Sequence, residues 1–298
     1  MKKILIYILT SLLLSTACTT TKQPLQFHVK SEKNSIYMLK QGKSISTKEL
    51  SAAVEKYPVI FVGDNHGSLK THEFMDKLLQ SLITKGYRIH LANEWFSPNH
   101  NKMLQRYTDG KITIQQLKYQ RDWTKFTTLP WGLSSMLYER VRKSGGRLYG
   151  INLTRKERKK ISSKLLSVMS NDERRFYDSI DTNVSAHKSL IEPFFENCHK
   201  IMPARGDESC QDRMYRVQVA WDSYMAKESA MLARRVLRSK KDKLIVFAGD
   251  MHMKYQLGIP LRFSRLSNQP FFTIVNHSTS KKETIGLDVG LADAVFIY

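Results

Sequence analysis

A mainly parallel α/β sheet flanked by helices, with a smaller helical subdomain, is the fold this sequence predicts, and three observations carry it. Val59-Ile60-Phe61-Val62 and Leu244-Ile245-Val246-Phe247-Ala248 are short runs of β-branched, aromatic and aliphatic residues, which read as strands buried on both faces. Between the first run and His90-Leu91-Ala92-Asn93-Glu94 lies a helical pattern from about Leu69 to Lys85, with Phe74, Leu78, Leu79 and Leu82 on one face and Gly86 at its end. Strand, helix and strand in that order make a βαβ unit. The stretch from Thr154 to Lys240 carries charged, helix-favouring residues, with Met214, Val217, Ala220, Trp221, Tyr224 and Met225 at helical spacing.

At the N-terminus, Lys2 and Lys3 precede an apolar stretch from Ile4 to Leu14, followed by Ser15-Thr16-Ala17-Cys18. A charged start, a short apolar core and small residues describe an export signal. The stretch is too short to span a bilayer as a mature helix. With Leu14 upstream and Cys18 directly after Ala17, the segment resembles a bacterial lipoprotein processing site, although Ser15 stands where leucine is commoner. The resemblance implies a signal peptide over 1–17, lipidation (thioether lipid and palmitate) at Cys18, and a tether over 18–25. Thr19, in place of aspartate, favours the outer membrane. An ordinary secretory signal with an incidental cysteine is the alternative.

About 280 mature residues exceed one modest core, which fits an α/β domain over 26–153 and 241–298 with a helical subdomain over 154–240. Ser35 to Lys40 and the Gln41-Gly42-Lys43 turn make a small β-element, before a helix near Ser46 to Lys56 that Ser46 or Thr47 caps. Further strands are expected at Arg147–Asn152, Phe271–Asn276 and Ala294–Tyr298. In an exported chain, Cys198 and Cys210 are expected to form a disulfide. A metal site including His199 is the competing reading, but the spacing is not that of zinc. A net charge of +21 would point to nucleic acid in a cytosolic protein; the export signal argues against that partner and leaves anionic lipid or an acidic small ligand.

The chemistry concentrates in a phrase that occurs twice. Gly63-Asp64-Asn65-His66 and Gly249-Asp250-Met251-His252 each follow a buried strand, and the strand through His90 ends on Glu94. Ligands of open α/β sheets bind at the carboxyl ends of strands. A single Gly-Asp phrase also serves simply to turn a chain or cap a helix; two of them, with Glu94, point to a site with two halves. His28, His187 and His277 are assigned to structural background.

A lipoprotein start, a strand-G-[ED]-x-H phrase, a downstream His72, a strand ending in Glu94 and a late Gly249-Asp250-Met251-His252 running on to Gly258-Ile259-Pro260 resemble the ChaN-like haem-binding lipoproteins. The stretch from Cys198 through Gln218, Asp222, Met225 and Ala226 resembles that family's helical segment. The wider group includes Tiki-type metalloproteases and erythromycin-esterase-like enzymes. Two departures are Asp64 where glutamate is commoner, and Thr71-His72 where paired histidines are frequent.

The resemblance implies a haem-binding protein of haem or iron acquisition, whose partners are haem, the membrane, a haem receptor or transporter and a second copy in a dimer. Ferric haem takes a tyrosine or histidine axial ligand and an apolar surround. Tyr255 is the candidate ligand to the haem iron. His66, His252, Glu94 and Tyr138 are further cofactor-binding candidates, Tyr107 and Tyr149 are other phenols considered, and Trp95, Phe96 and Met253 are possible walls. The alternative is a metal-dependent hydrolase in which His66, Glu94 and His252 hold a divalent ion such as Zn or Mn and activate water.

Overall fold

The computed structural model describes residues 26–30, 32–127, 129–205, 208–279 and 284–298. The expected signal peptide, Cys18 and tether lie outside these residues.

The strands are β1 (Gln26–Lys30), β2 (Ser35–Met38), β3 (Lys43–Ile45), β4 (Val59–Asp64), β5 (Arg88–Asn93), β6 (Leu148–Gly150), β7 (Asp242–Gly249), β8 (Phe271–His277), β9 (Thr284–Asp288) and β10 (Ala294–Ile297). Eight of them form one sheet in the order β3-β2-β10-β8-β4-β7-β5-β6. The six from β10 to β6 run parallel, and β2 and β3 add an antiparallel edge. β1 and β9 pair as a separate antiparallel ribbon, which the sequence pattern did not predict.

β4 and β7 are buried throughout, as expected of central strands covered on both faces. The pleat sorts their side chains into two layers. Ile60, Val62, Ile245 and Phe247 pack with Leu78, Leu82, Leu137 and Val141 on one face. Val59, Phe61, Val246 and Ala248 pack with Met225, Ala230 and Phe263 on the other.

The first face is covered by α1 (Thr47–Ala53), α2 (Leu69–Thr84), and a group between β5 and β6: α3 (Asn101–Thr108), α4 (Ile114–Arg121), α5 (Trp123–Phe126) and α6 (Trp131–Lys143). Ser46 caps α1 in a box with Glu49, accepting from its backbone N–H while the carboxylate accepts from the backbone N–H of Ser46.

Between β6 and β7 the described residues form no strand beyond one isolated bridge, Arg205 with Glu208. They contain α7 (Arg155–Ser162), α8 (Asn171–Asp178), α9 (Ser185–Ile191), α10 (Cys198–Ile201) and the 27-residue α11 (Cys210–Val236). α11 joins two packing environments. Its N-terminal half sets Tyr215 and Val219 against Ile191 and Phe195, while its C-terminal half sets Met225, Ala226, Ala230 and Ala233 against the sheet. A short helix, α12 (Ile259–Ser264), places Phe263 beside Phe61 on the same face. Cys198 and Cys210 are bonded, with Cα atoms 5.6 Å apart, which ties α10 to the start of α11.

Candidate functional site

The two Gly-Asp phrases end adjacent strands in register, with Gly63 opposite Ala248 and Asp64 opposite Gly249. Both glycines answer to close approach. A Cβ on Gly63 would collide with the Asp250 carboxylate, and one on Gly249 would come within 3.2 Å of the His66 ring.

The two aspartates have different tasks. Buried Asp64 sets Oδ2 3.0 Å from His66 Nδ1. Asp250 turns away, and its Oδ1 accepts from the backbone N–H of Asn276 (2.8 Å) and from Asn276 Nδ2 (3.2 Å). Asn276 Nδ2 also donates to the Gly63 carbonyl, so Asp250 and Asn276 fasten the ends of β7, β8 and β4 together. Burial pushes the Asp250 carboxyl up, against the charge of Lys254, 3.3 Å from Oδ2, and the hydrogen bonds from Asn276.

From His66 a chain of alternating imidazoles and carboxylates runs inward. His66 Nε2 lies 3.0 Å from Glu94 Oε1, and the other Glu94 oxygen lies 3.7 Å from His252 Nε2. His252 Nδ1 is 2.5 Å from Asp222 Oδ1 on α11 and 3.0 Å from the Gln218 amide. Asp222 Oδ2 continues to His187 Nε2 at 3.4 Å. His66, Glu94 and His252 are thus brought together as expected, with Glu94 between the two rings. Asp222, Gln218 and His187 are participants that the sequence reading did not place there. His187, assigned to background, is instead buried against Asp222. His72 is buried behind Asp64, where its Nδ1–H donates to the Ser68 carbonyl at 3.0 Å.

Charge follows from this geometry. Burial alone would depress the His66 pKa, but the hydrogen bonds and charges of Asp64 and Glu94 overcome it and raise it to about 10. Burial likewise opposes protonation of His252, and the Asp222 carboxylate prevails and raises it. Burial would raise Glu94, but the His66 hydrogen bond and the charges of both imidazoles hold it below the ordinary range. His66, about half exposed at its side chain, is the solvent-facing end of the chain.

Aromatic residues line one side. Trp95 stands edge-on to His66 with ring centres 4.6 Å apart, and contacts continue through Trp123 and Trp131 to Tyr138. Phe96 touches both Trp123 and Tyr138. Trp123 and Trp131 therefore back the wall that Trp95 presents to His66.

The tyrosines separate by exposure. Tyr107, Tyr138 and Tyr149 are buried, whereas Tyr255 is 37% exposed. Tyr138, 2% exposed, has its phenol pushed up by burial. Tyr255 lies against the turn from Asp288 to Asp293. Its N–H donates to the Leu291 carbonyl at 2.7 Å, and Asp288 and Gly290 flank its ring. Tyr255 (φ 54°) and Gln256 (φ 58°) both occupy the left-handed region, an uncommon pair of non-glycine residues. Met253, a predicted wall, is buried in the layer beneath, with Leu291 and Ala292.

Comparison with known proteins adds a lineage. A family model for haem-binding uptake proteins of the Tiki superfamily, ChaN, matches residues 50–263. Among solved structures, ChaN of Campylobacter jejuni, described with cofacial haem binding, superposes with a TM-score of 0.66 at 19% identity, covering 90% of this chain and 97% of that one. The type III effector HopBA1 follows with a TM-score of 0.45 at 16% identity, covering 85% and 93%. An erythromycin esterase, EreC, gives 0.44 at 12% identity, covering 83% and 76%. No curated protein sequence matches the chain.

Proposed function

This chain belongs to the ChaN family of haem-binding uptake proteins in the Tiki superfamily, and on that premise we propose that it binds haem through the phenolate oxygen of Tyr255 and serves haem or iron acquisition as a lipoprotein of the outer membrane.

The observation that carries the choice of ligand is the backbone at Tyr255. Two consecutive left-handed residues cost of order 1–3 kcal/mol each and persist only where surrounding contacts hold them. Here the bond to the Leu291 carbonyl holds a phenol at the surface, while the other three tyrosines considered are enclosed. A phenolate is a haem-iron ligand of known type, so the donor chemistry fits. Burial first, and then the Asp288 carboxylate, push the Tyr255 phenol up. The Asp288 carboxylate lies beside the phenol.

Bound haem would supply the iron chemistry, and the Tyr255 oxygen would hold it. The chain's own task is to present the oxygen, keep the ring oriented and cover part of the apolar face. An exposed phenol covers one side only, so self-association as a dimer belongs to this proposal. Haemin titration of the chain, followed by absorbance, tests it: a saturable Soret change supports carriage, and a response no greater than that of an unrelated basic protein defeats it.

A hydrolase is the second reading, and the imidazole–carboxylate chain is the observation behind it. Both ring nitrogens of His66 face carboxylates, Asp64 and Glu94, each at 3.0 Å. Among the described residues, no group of three or more His, Cys, Asp or Glu side chains is arranged to hold an ion. The alternating imidazoles and carboxylates support proton handling.

A further inference from the structure

Where α7 and α8 lie against α11, the packing of the helical subdomain leaves a cavity of about 140 Å³. An apolar cavity of roughly 150 Å³ holds benzene, so there is room here for one ring. Leu153, Ile161, Met169 and Phe176 form the apolar wall, and Tyr224 of α11 adds a second aromatic ring. Phe176 and Tyr224 stand at 87° to each other with ring centres 5.4 Å apart. Neither Tyr255 nor any member of the imidazole–carboxylate chain lines this cavity.

The polar groups around it divide by whether they are already satisfied. Lys160 and Glu173 neutralise each other through bonds of 2.7 and 2.6 Å, and Asp172 is paired with Arg175. Glu157 keeps an oxygen in reserve: its bonds from the backbone N–H and the hydroxyl of Thr154 both fall on Oε2, and Oε1 receives none. Glu228, one turn beyond Tyr224, is partly buried and makes no ion pair or side-chain hydrogen bond among the described residues. Burial pushes its carboxyl up, against the charges of Lys227 and Arg235. Burial, then Glu157 and Glu228, push the Tyr224 phenol up as well, which places both carboxylates near its hydroxyl. A partly buried carboxylate without a bonded cation carries a desolvation cost that a cationic guest relieves. The chain's own Lys227 holds Nζ 5.9 Å from the centre of the Phe176 ring, so that ring already faces an ammonium.

We propose that this cavity binds a small organic cation, an ammonium group carried on one ring or a short apolar chain. The apolar body fills the space beside Leu153, Ile161 and Met169, and the two aromatic rings attract the charge. A primary ammonium has three N–H donors, and Glu157 Oε1, the Tyr224 hydroxyl and the Glu228 carboxylate are three acceptors for them. An anionic guest meets the same carboxylates and is repelled, while a neutral one gains only apolar contact. The site stands independently of the haem reading.

Calorimetric titration of the chain at pH 7, without haem, tests this with benzylamine as the cation, benzyl alcohol as its neutral counterpart of the same shape, and benzoate as the anion. Benzylamine is expected to bind saturably and about tenfold or more tighter than benzyl alcohol, as charge-assisted hydrogen bonds imply, and benzoate not to bind. Glu228→Gln and Tyr224→Phe are each expected to weaken benzylamine several-fold and to leave benzyl alcohol unchanged, with thermal midpoints confirming that both variants fold. Ile161→Phe, which fills the space with a larger side chain, is expected to abolish binding of both. Haemin titration of these variants is expected to match the parent. Equal affinity for benzylamine and benzyl alcohol reduces the cavity to an apolar void and overturns the proposal. A preference for benzoate, no saturable binding by the parent, or benzylamine binding that none of the three variants weakens overturns it equally.

Discussion

Asp222 of α11 holds His252 with its carboxylate oxygen 2.5 Å from Nδ1, and both side chains are buried. This contact joins the long helix to the end of β7 and sets the opposite edge of the imidazole, Nε2, toward Glu94. Asp222→Ala is expected to cost about 3 kcal/mol in urea unfolding, because it strands a buried imidazole. Asp222→Asn, which keeps the shape, is expected to cost less and to lower the His252 pKa in an NMR titration.

His66 makes stability depend on pH. Its pKa is raised from 6.5 to about 10 on folding, so the stabilisation is fully present below about pH 6.5 and is lost as pH rises toward 10. Half the side chain is exposed, and screening reduces the effect to about 1 kcal/mol. Unfolding midpoints measured from pH 6 to 10 are expected to decline in the parent chain, and to decline less in His66→Gln.

The backbones meet at Gly63. In Gly63→Ala the added methyl overlaps the Asp250 carboxylate and disturbs the Asn276 bonds that fasten three strands. A loss of about 2 kcal/mol is expected on thermal unfolding, from overpacking. Gly42→Ala serves as a control for a left-handed turn glycine with open space around it, where the cost is set by backbone strain alone.

Reduction of the Cys198–Cys210 bond releases a short loop at the start of α11. Loop-closure entropy puts the stabilisation at about 3 kcal/mol. Chemical unfolding with and without reductant is expected to differ by that order, and hydrogen exchange is expected to rise most in α10 and the first turns of α11.

The parts of the fold legible in the sequence are those where burial leaves no choice of pattern. β4, β7 and β5 are central strands, so they appear as apolar runs, and their ends deliver His66, His252 and Glu94 to one edge. The different tasks of Asp64 and Asp250 were not legible, since the phrases are nearly identical and only the contact with Asn276 separates them. Asp222 stands out only through the family resemblance, because its partner lies 30 residues away and a polar residue on a helix ordinarily reads as solvent-facing. The β1–β9 ribbon escaped notice for a related reason: its strands are short and pair only with each other across most of the chain. The helices α3 to α6 are short and mixed in composition, and their apolar stripe becomes evident only against the sheet face they cover.

The haem reading meets its most direct test in a haemin titration of the mature chain, with Tyr255→Phe and Tyr138→Phe measured in parallel. The expected result is saturable binding with a Soret shift and a charge-transfer band of phenolate ligation in the parent and in Tyr138→Phe. In Tyr255→Phe that band is expected to be lost and affinity to fall about tenfold or more, equivalent to about 1.4 kcal/mol. An unchanged spectrum and affinity in Tyr255→Phe would contradict the assignment of the ligand, and no saturable binding by the parent chain would contradict haem carriage itself.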